Sequence, residues 1–81
     1  MFYVYILKSI NFPKEHYVGY SEDLKSRVKA HDWGDSKHTS KFKPWRLVCY
    51  IGFADKKSAK EFEYYLKTGS GRAFLKRHLL K

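Results

Sequence analysis

The chain reads as an α+β domain: a small three-stranded antiparallel sheet flanked by helices, in the order β-β-α-β-α-α. Three observations predict it. Two short runs rich in aromatic and β-branched residues, Phe2 to Lys8 and His16 to Tyr20, lie within hairpin reach of one another. A third such run, Trp45 to Phe53, stands alone between two stretches with helical spacing of apolar residues. The order of these runs is that of a small three-stranded sheet covered by helices. With 81 residues there is room for a single domain, residues 1–81, and one small core.

The first run, Phe-Tyr-Val-Tyr-Ile-Leu, is apolar at successive positions, as a central strand covered on both faces would be. It reads as part of the mature fold and not as a leader, since it lacks a basic start and a small-residue cleavage site. Asn11-Phe12-Pro13-Lys14 supplies turn chemistry. The chain then returns antiparallel as the second strand, closing a hairpin with a loop of about 5 to 7 residues. Ser21 is a good N-cap, with Glu22 and Asp23 in the first turn of a helix expected from Asp23 to about Trp33 and stopping near Gly34.

Residues Gly34 to Pro44 form a polar, basic loop carrying Lys37, His38, Lys41 and Lys43. The third strand follows. Asp55 or Ser58 caps a second helix running to about Thr68. Gly69-Ser70-Gly71 is expected as a break, and Arg72 to Leu80 as a short third helix offering Phe74, Leu75, Leu79 and Leu80 to the core.

Composition narrows the function. Seventeen Lys and Arg stand against eight Asp and Glu, a net charge of +9, and aromatics make up 19% of the chain. Basic plus aromatic points to a nucleic-acid partner. The charge is spread over all elements and not gathered on one amphipathic helix, which argues against an anionic membrane surface. No stretch is apolar for long enough to span a bilayer, and no membrane role is expected. The single cysteine, Cys49, allows neither a disulfide framework nor a cysteine metal cluster; it reads as a small core residue and fits a reducing cytoplasm. Zinc patterns, P-loops, dinucleotide turns and serine nucleophile elbows are all missing from the sequence.

Helical geometry then picks out a few side chains. On the first helix, Leu24, Val28 and His31 share one face and Arg27 borders it. A guanidinium beside an apolar stripe needs an anion, because it does not shed its charge. Glu63 or a phosphate would serve. On the second helix, Ala59, Phe62 and Leu66 define the apolar face; Glu61 falls opposite, while Glu63 lies roughly 70° from its centre, on the border. A carboxylate there either makes a structural ion pair or holds a metal at the rim of a site. Tyr5 and Tyr17 lie on adjacent strands, each an aromatic with a polar tip that suits a core position reaching solvent equally well.

These same residues carry a resemblance. Tyr3-Val4-Tyr5, then eleven residues, then Tyr17-Val18-Gly19 is similar to the paired signature of the GIY-YIG nuclease superfamily, with Tyr3 where glycine is usual. Arg27 follows eight residues after Gly19, His31 four further on, and Ala59, Glu63 and Lys67 line a late helix, again as in that family. Thr39, Pro44-Trp45 and the closing GSGRAFLKRHL resemble its small stand-alone bacterial members.

The resemblance implies a GIY-YIG-type phosphodiesterase: an endonuclease hydrolysing DNA with a divalent metal, Mg²⁺ or Mn²⁺. It implies Tyr5 and Tyr17 as active-site tyrosines, one contacting or deprotonating the attacking water. Arg27 would stand on the scissile phosphate, His31 in support, and Glu63 as the one protein carboxylate on the metal. Lys37, His38, Lys41, Lys43, Lys67 and Arg72 are the expected nucleic-acid contacts. DNA repair is one compatible setting, a cytoplasmic location is expected, and a protein partner would supply specificity. Without a recognition module, selection by DNA structure and not by sequence is expected, since phosphate contacts position without reading bases. Two departures stand out: Tyr20 replaces a common lysine, and no asparagine follows Asn11 to support the site, leaving Arg72, Lys67 or His78 as substitutes. The other reading of the same charge is a non-catalytic basic nucleic-acid-binding module; the composition does not choose between DNA and RNA.

Overall fold

The computed structural model of the protein describes residues 1–32 and 40–80; of Ala30, His31 and Asp32 it describes the helical backbone alone. Strand β1 (Phe2–Ser9) is the centre of a three-stranded antiparallel sheet, between β2 (His16–Ser21) and β3 (Trp45–Phe53). The central placement explains its composition: Val4, Tyr5, Ile6 and Leu7 are all 0% exposed, so both faces of the strand are covered. The hairpin register pairs Tyr5 with Gly19 and Leu7 with Tyr17. A bulge between Ile6 and Leu7 interrupts the pairing of β1 with β3.

The alternation of side chains divides the core in two. Tyr5, Leu7 and Trp45 point to one face, where Tyr17, Leu47, and Leu24 and Val28 of helix α1 (Leu24–Asp32) pack on them. Val4, Ile6 and Val18 point to the other, under Ala59 and Leu66 of helix α2 (Lys56–Leu66) and Leu75. Rings of Phe53, Phe62, Tyr65 and Phe74 close the second cluster, with centroids 5.6 to 6.4 Å apart.

The termini of the helices differ from expectation in two places. Asp23, not Ser21, caps α1: its carboxylate accepts from the Ser26 N–H at 3.2 Å. Ser21 sits one step earlier, accepting from the Asp23 N–H at 2.9 Å, because β2 runs on through it. Gly69-Ser70-Gly71 is not a break but the opening turn of α3 (Gly69–Phe74), capped by Thr68, whose hydroxyl accepts from the Gly71 N–H at 3.2 Å. Gly71 is needed for contact: a Cβ there would run into the Tyr65 carbonyl oxygen at the end of α2. The third helix is also not continuous. α3 passes into a π-type turn over Leu75–Leu79, which brings Leu75 to 0% exposure. Asp55 caps α2 as expected, accepting from the Ser58 N–H and hydroxyl at 2.8 Å each, an arrangement worth about 1 kcal/mol.

Candidate active site

The site forms at the outer edge of the sheet, where β2 ends the sheet and the two layers of helices face each other around it. Gly19 makes this possible. With no side chain on β2 at that point, the phenol end of Tyr5 reaches across the strand; a Cβ would overlap its Cζ and Oη and come within 2.8 Å of Tyr17 Cε2. The Tyr5 and Tyr17 rings lie 6.2 Å apart, tilted by 39°. From α1, the exposed Arg27 comes near enough to the Tyr5 hydroxyl to favour its ionised form. From α2, on the opposite face, Glu63 comes close enough to act electrostatically on both Tyr5 and Tyr20. Tyr5, Tyr17 and Arg27 thus come together from three elements, with Glu63 within electrostatic reach of Tyr5 from a fourth.

Electrostatics assigns these groups distinct capacities. Tyr5 has its pKa pushed up to about 12, first by burial and then by the neighbouring Tyr17, with Arg27 opposing and Glu63 adding to the rise. A phenol in that range stays protonated at neutral pH and donates or accepts a hydrogen bond without acting as a base. Tyr5 is also 0% exposed, so it meets Arg27 and not bulk water. Arg27 itself has no carboxylate partner among the described residues. Glu63 pairs with Lys67 instead, at 2.9 Å, with the carboxylate 18% and the ammonium 51% exposed. An i,i+4 pair with so exposed a cation is worth about 0.3–0.5 kcal/mol and yields readily to a competing cation.

The donor chemistry at Glu63 fits a hard divalent cation. Among the described residues no group of three His, Cys, Asp or Glu gathers in one place, which a zinc cage would need. A lone carboxylate beside phenol oxygens suits magnesium, which keeps most of its waters and takes one or two carboxylates together with a phosphate. Lys67 already places one positive charge on that carboxylate.

The remaining site residues separate by place. His31 belongs to α1, but its side chain lies outside the described residues, as do Lys37 and His38 altogether. Arg72 and Lys67 line a groove of about 230 Å³ together with His16, Tyr17, Val18 and Leu66. Lys41 and Lys43 are exposed at the far end of the sheet, where Lys41 lies 5.6 Å above the Phe42 ring and the Ser9 hydroxyl donates to the Phe42 carbonyl at 2.7 Å. His78 stacks on Phe74 at 5.0 Å, so of the three substitutes for the missing asparagine Lys67 is the one that bonds Glu63.

Position 20 shows what sequence reasoning missed. Tyr20 donates to Glu22 at 3.3 Å, and Lys60 of α2 holds its ammonium 4.4 Å above the Tyr20 ring. A cation therefore stands near β2 at this point, supplied by another element. The one available signal was that Lys60 precedes Glu63 by three residues and so shares its side of the helix. Another depression, about 500 Å³, lies elsewhere among the described residues, between α1 and β3, with Tyr3, Leu47 and Tyr50 in its wall and Glu22, Asp23 and Lys25 on its rim.

Known proteins of one family are similar to this chain. The GIY-YIG catalytic domain model matches residues 1–77. A UPF0213 protein of Clostridium perfringens is 40% identical over 68 residues, covering 83% of this chain and 71% of that protein. A structure-specific endonuclease subunit SLX1 homolog of Giardia intestinalis is 35% identical over 66 residues, covering 76% of this chain but 18% of its own length. The chain thus spans under a fifth of that relative. The solution structure of a UPF0213 protein of Bacillus halodurans superposes with a TM-score of 0.56 at 33% identity, covering 95% of this chain and 84% of that one. Signature, fold and the edge-of-sheet cluster lead to one conclusion: the chain belongs to the GIY-YIG catalytic domain family.

Proposed function

We propose that this protein is an endonuclease that hydrolyses phosphodiester bonds in DNA with the help of Mg²⁺ or Mn²⁺, selecting its substrate by structure and not by sequence. The observation that carries the reading is the meeting of Tyr5, Tyr17 and Arg27 at the Gly19 edge of the sheet, with Glu63 within electrostatic reach of Tyr5. It is supported by the matching catalytic domain and by relatives described as structure-specific endonuclease subunits.

Each side chain has a task that its surroundings suit. Arg27, exposed and free of any described carboxylate, binds the non-bridging oxygens of the scissile phosphate and balances the charge that grows on them. Tyr5 is a positioning residue: its protonated, buried hydroxyl fixes the guanidinium from behind. Tyr17, half-buried on the groove, is the tyrosine placed to touch the attacking water. Glu63 would hold the metal, which when bound supplies charge neutralisation and an acidified water at the phosphate. Lys67, displaced from Glu63, is left on a flexible stem beside Arg72 to meet the DNA backbone. Selection by structure follows from the absence of any described element shaped to enter a groove and read bases. Relatives named as endonuclease subunits favour a partner protein that adds specificity, and a setting in DNA repair.

The test is cleavage of labelled single-stranded, duplex, nicked, flapped and four-way DNA with Mg²⁺ or Mn²⁺, wild type beside Glu63→Ala. Cutting by the wild type alone supports the reading, and the panel names the substrate. Equal binding by both proteins with no cleavage on any substrate would instead favour a basic binding module, which the Glu63–Lys67 ion pair by itself would suit.

A further inference from the structure

At the end of the hairpin away from Tyr3, the sheet carries an arrangement that costs the free protein stability. Lys8 of β1 pairs directly with His16 of β2 on one side and with Arg46 of β3 on the other. Directly paired residues share a face, so three basic side chains stand in a row across all three strands. Lys8 and Arg46 are like charges placed opposite one another in a sheet, and these repel. The surroundings add to the repulsion. Lys14 from the hairpin loop and Lys76 from the turn after α3 line a depression of about 280 Å³ together with Lys8 and His16. Arg72 sits next along, in the groove that His16 shares with Tyr17. Glu15 is the one described carboxylate that acts on His16, and among the described residues it makes no ion pair with any of these cations. The His16 imidazole responds as a base crowded by cations does: burial first, then Arg72 and Lys76, hold its pKa below the ordinary value, with Glu15 opposing.

A cluster of five cations, Lys8, Lys14, Arg46, Arg72 and Lys76, gathered around a neutral imidazole with so little internal neutralisation is built for a polyanion. Its position specifies which. His16 is three residues along β2 from Gly19, roughly 10 Å at the rise of a strand. That is longer than one sugar-phosphate repeat, so the two places would meet different phosphates of one strand. The groove holding Tyr17, Lys67 and Arg72 joins the two places without an acidic interruption.

We propose that the row His16–Lys8–Arg46, rimmed by Lys14 and Lys76, is a second phosphate subsite that seats the nucleic-acid backbone a few nucleotides from the bond to be cut. This rests on the nuclease reading and deepens it: the subsite fixes the direction in which the substrate crosses the β2 edge. Neither Lys8, Lys14, His16 nor Lys76 belongs to the chemical cluster, so loss of the subsite weakens binding without removing a group that touches the reacting phosphate.

The experiment is equilibrium binding of a labelled duplex in chelator, where no cleavage occurs, over a range of salt concentrations. The wild type is compared with Lys8→Gln/Lys76→Gln and with the charge-matched control Lys25→Gln/Lys29→Gln on α1. Each phosphate contact contributes about 0.9 to the slope of log affinity against log salt. The Lys8/Lys76 variant should lose about 1.8 from the slope beyond any change in the control. Its melting temperature in the absence of DNA should rise, because a repulsive pair has been relieved. A wild type that binds, with both variants sharing one slope, overturns the subsite while leaving the nuclease reading intact, and assigns the row to an acidic protein surface. A wild type with no affinity for DNA at low salt overturns both.

Discussion

Tyr5 and Gly19 share one volume. Paired across β1 and β2, they are arranged so that the phenol end of Tyr5 occupies the place where a side chain on residue 19 would begin. The edge of the sheet is thin at this point, and groups from its two faces meet there. Gly19→Ala should therefore damage both stability and chemistry. Tyr5 is fully buried and has no room to retreat, so the added methyl should cost about 1–3 kcal/mol, the usual range for overpacking. Urea denaturation reads the first effect and DNA cleavage the second; an unchanged midpoint with full activity would contradict the close approach.

Arg27 separates stability from function. Its side chain is exposed, so Arg27→Ala should leave the melting temperature within a degree or two of wild type. Cleavage should fall by about 10²–10³-fold, as for the loss of one positioned charge-stabilising donor. Arg27→Lys should not restore it, since a single ammonium does not hold the Tyr5 hydroxyl and a phosphate in one plane. Full rescue by lysine would reduce the role of Arg27 to a diffuse positive charge.

The phenol of Tyr5 should titrate near 12. In the ultraviolet titration of tyrosinate, Tyr5→Phe should remove the component of highest pKa. The sign of the linked effect is fixed: a phenol whose folded pKa lies above its unfolded value of about 10 contributes its stability below pH 10. That contribution is lost as the pH rises from 10 towards 12. Between pH 6 and 9 the group does not change charge, so Tyr5→Phe should lower the cleavage rate without moving the pH profile. A shifted profile in that range would make Tyr5 a base and not a positioning residue.

Glu63 and Lys67 should respond oppositely to metal. Glu63→Gln removes the carboxylate and should abolish cleavage while changing stability by no more than a few tenths of a kcal/mol, the scale of an exposed i,i+4 pair. Lys67→Gln leaves the carboxylate unpaired. The Mg²⁺ concentration for half-maximal activity should then fall severalfold, and removal of metal by chelator should stop cleavage in both wild type and Lys67→Gln. A Lys67→Gln enzyme that needs more Mg²⁺ than wild type would refute competition for Glu63.

His16 offers a readout that does not depend on catalysis. Its pKa in the free protein should lie below 6.5 by proton NMR, because burial first, and then Arg72 and Lys76, depress it while Glu15 opposes them. A depressed histidine favours the neutral folded form, so its contribution to stability is complete above about pH 6.5 and is lost as the pH falls through the folded pKa. His16→Gln should flatten that part of the acid limb. Addition of duplex DNA should raise the His16 pKa by neutralising its neighbours; a pKa unmoved by saturating DNA would separate His16 from the nucleic acid.

The sequence by itself determined the order of elements, the central place of β1 and the pairing of its hairpin. These follow from local preference: an unbroken apolar run, turn residues at a fixed spacing and helical periodicity act over a few residues and show directly in the chain. It also nominated Tyr5, Tyr17, Arg27 and Glu63 through the spacing of a family signature. Where neighbours in space are distant in sequence, the chain was silent. Gly69-Ser70-Gly71 reads as a break because glycine disfavours helices, yet Thr68 caps it and the end of α2 demands a residue without a Cβ at position 71. Arg27 looked ready for Glu63, but α1 and α2 lie on opposite faces of the sheet, and the carboxylate took Lys67, four residues along its own helix. Only the tertiary structure decided that Lys60 stands over Tyr20 and that His16, Lys8 and Arg46 form one row. Strand register sets those contacts, and register is a property of the assembled sheet, fixed by packing on both faces at once.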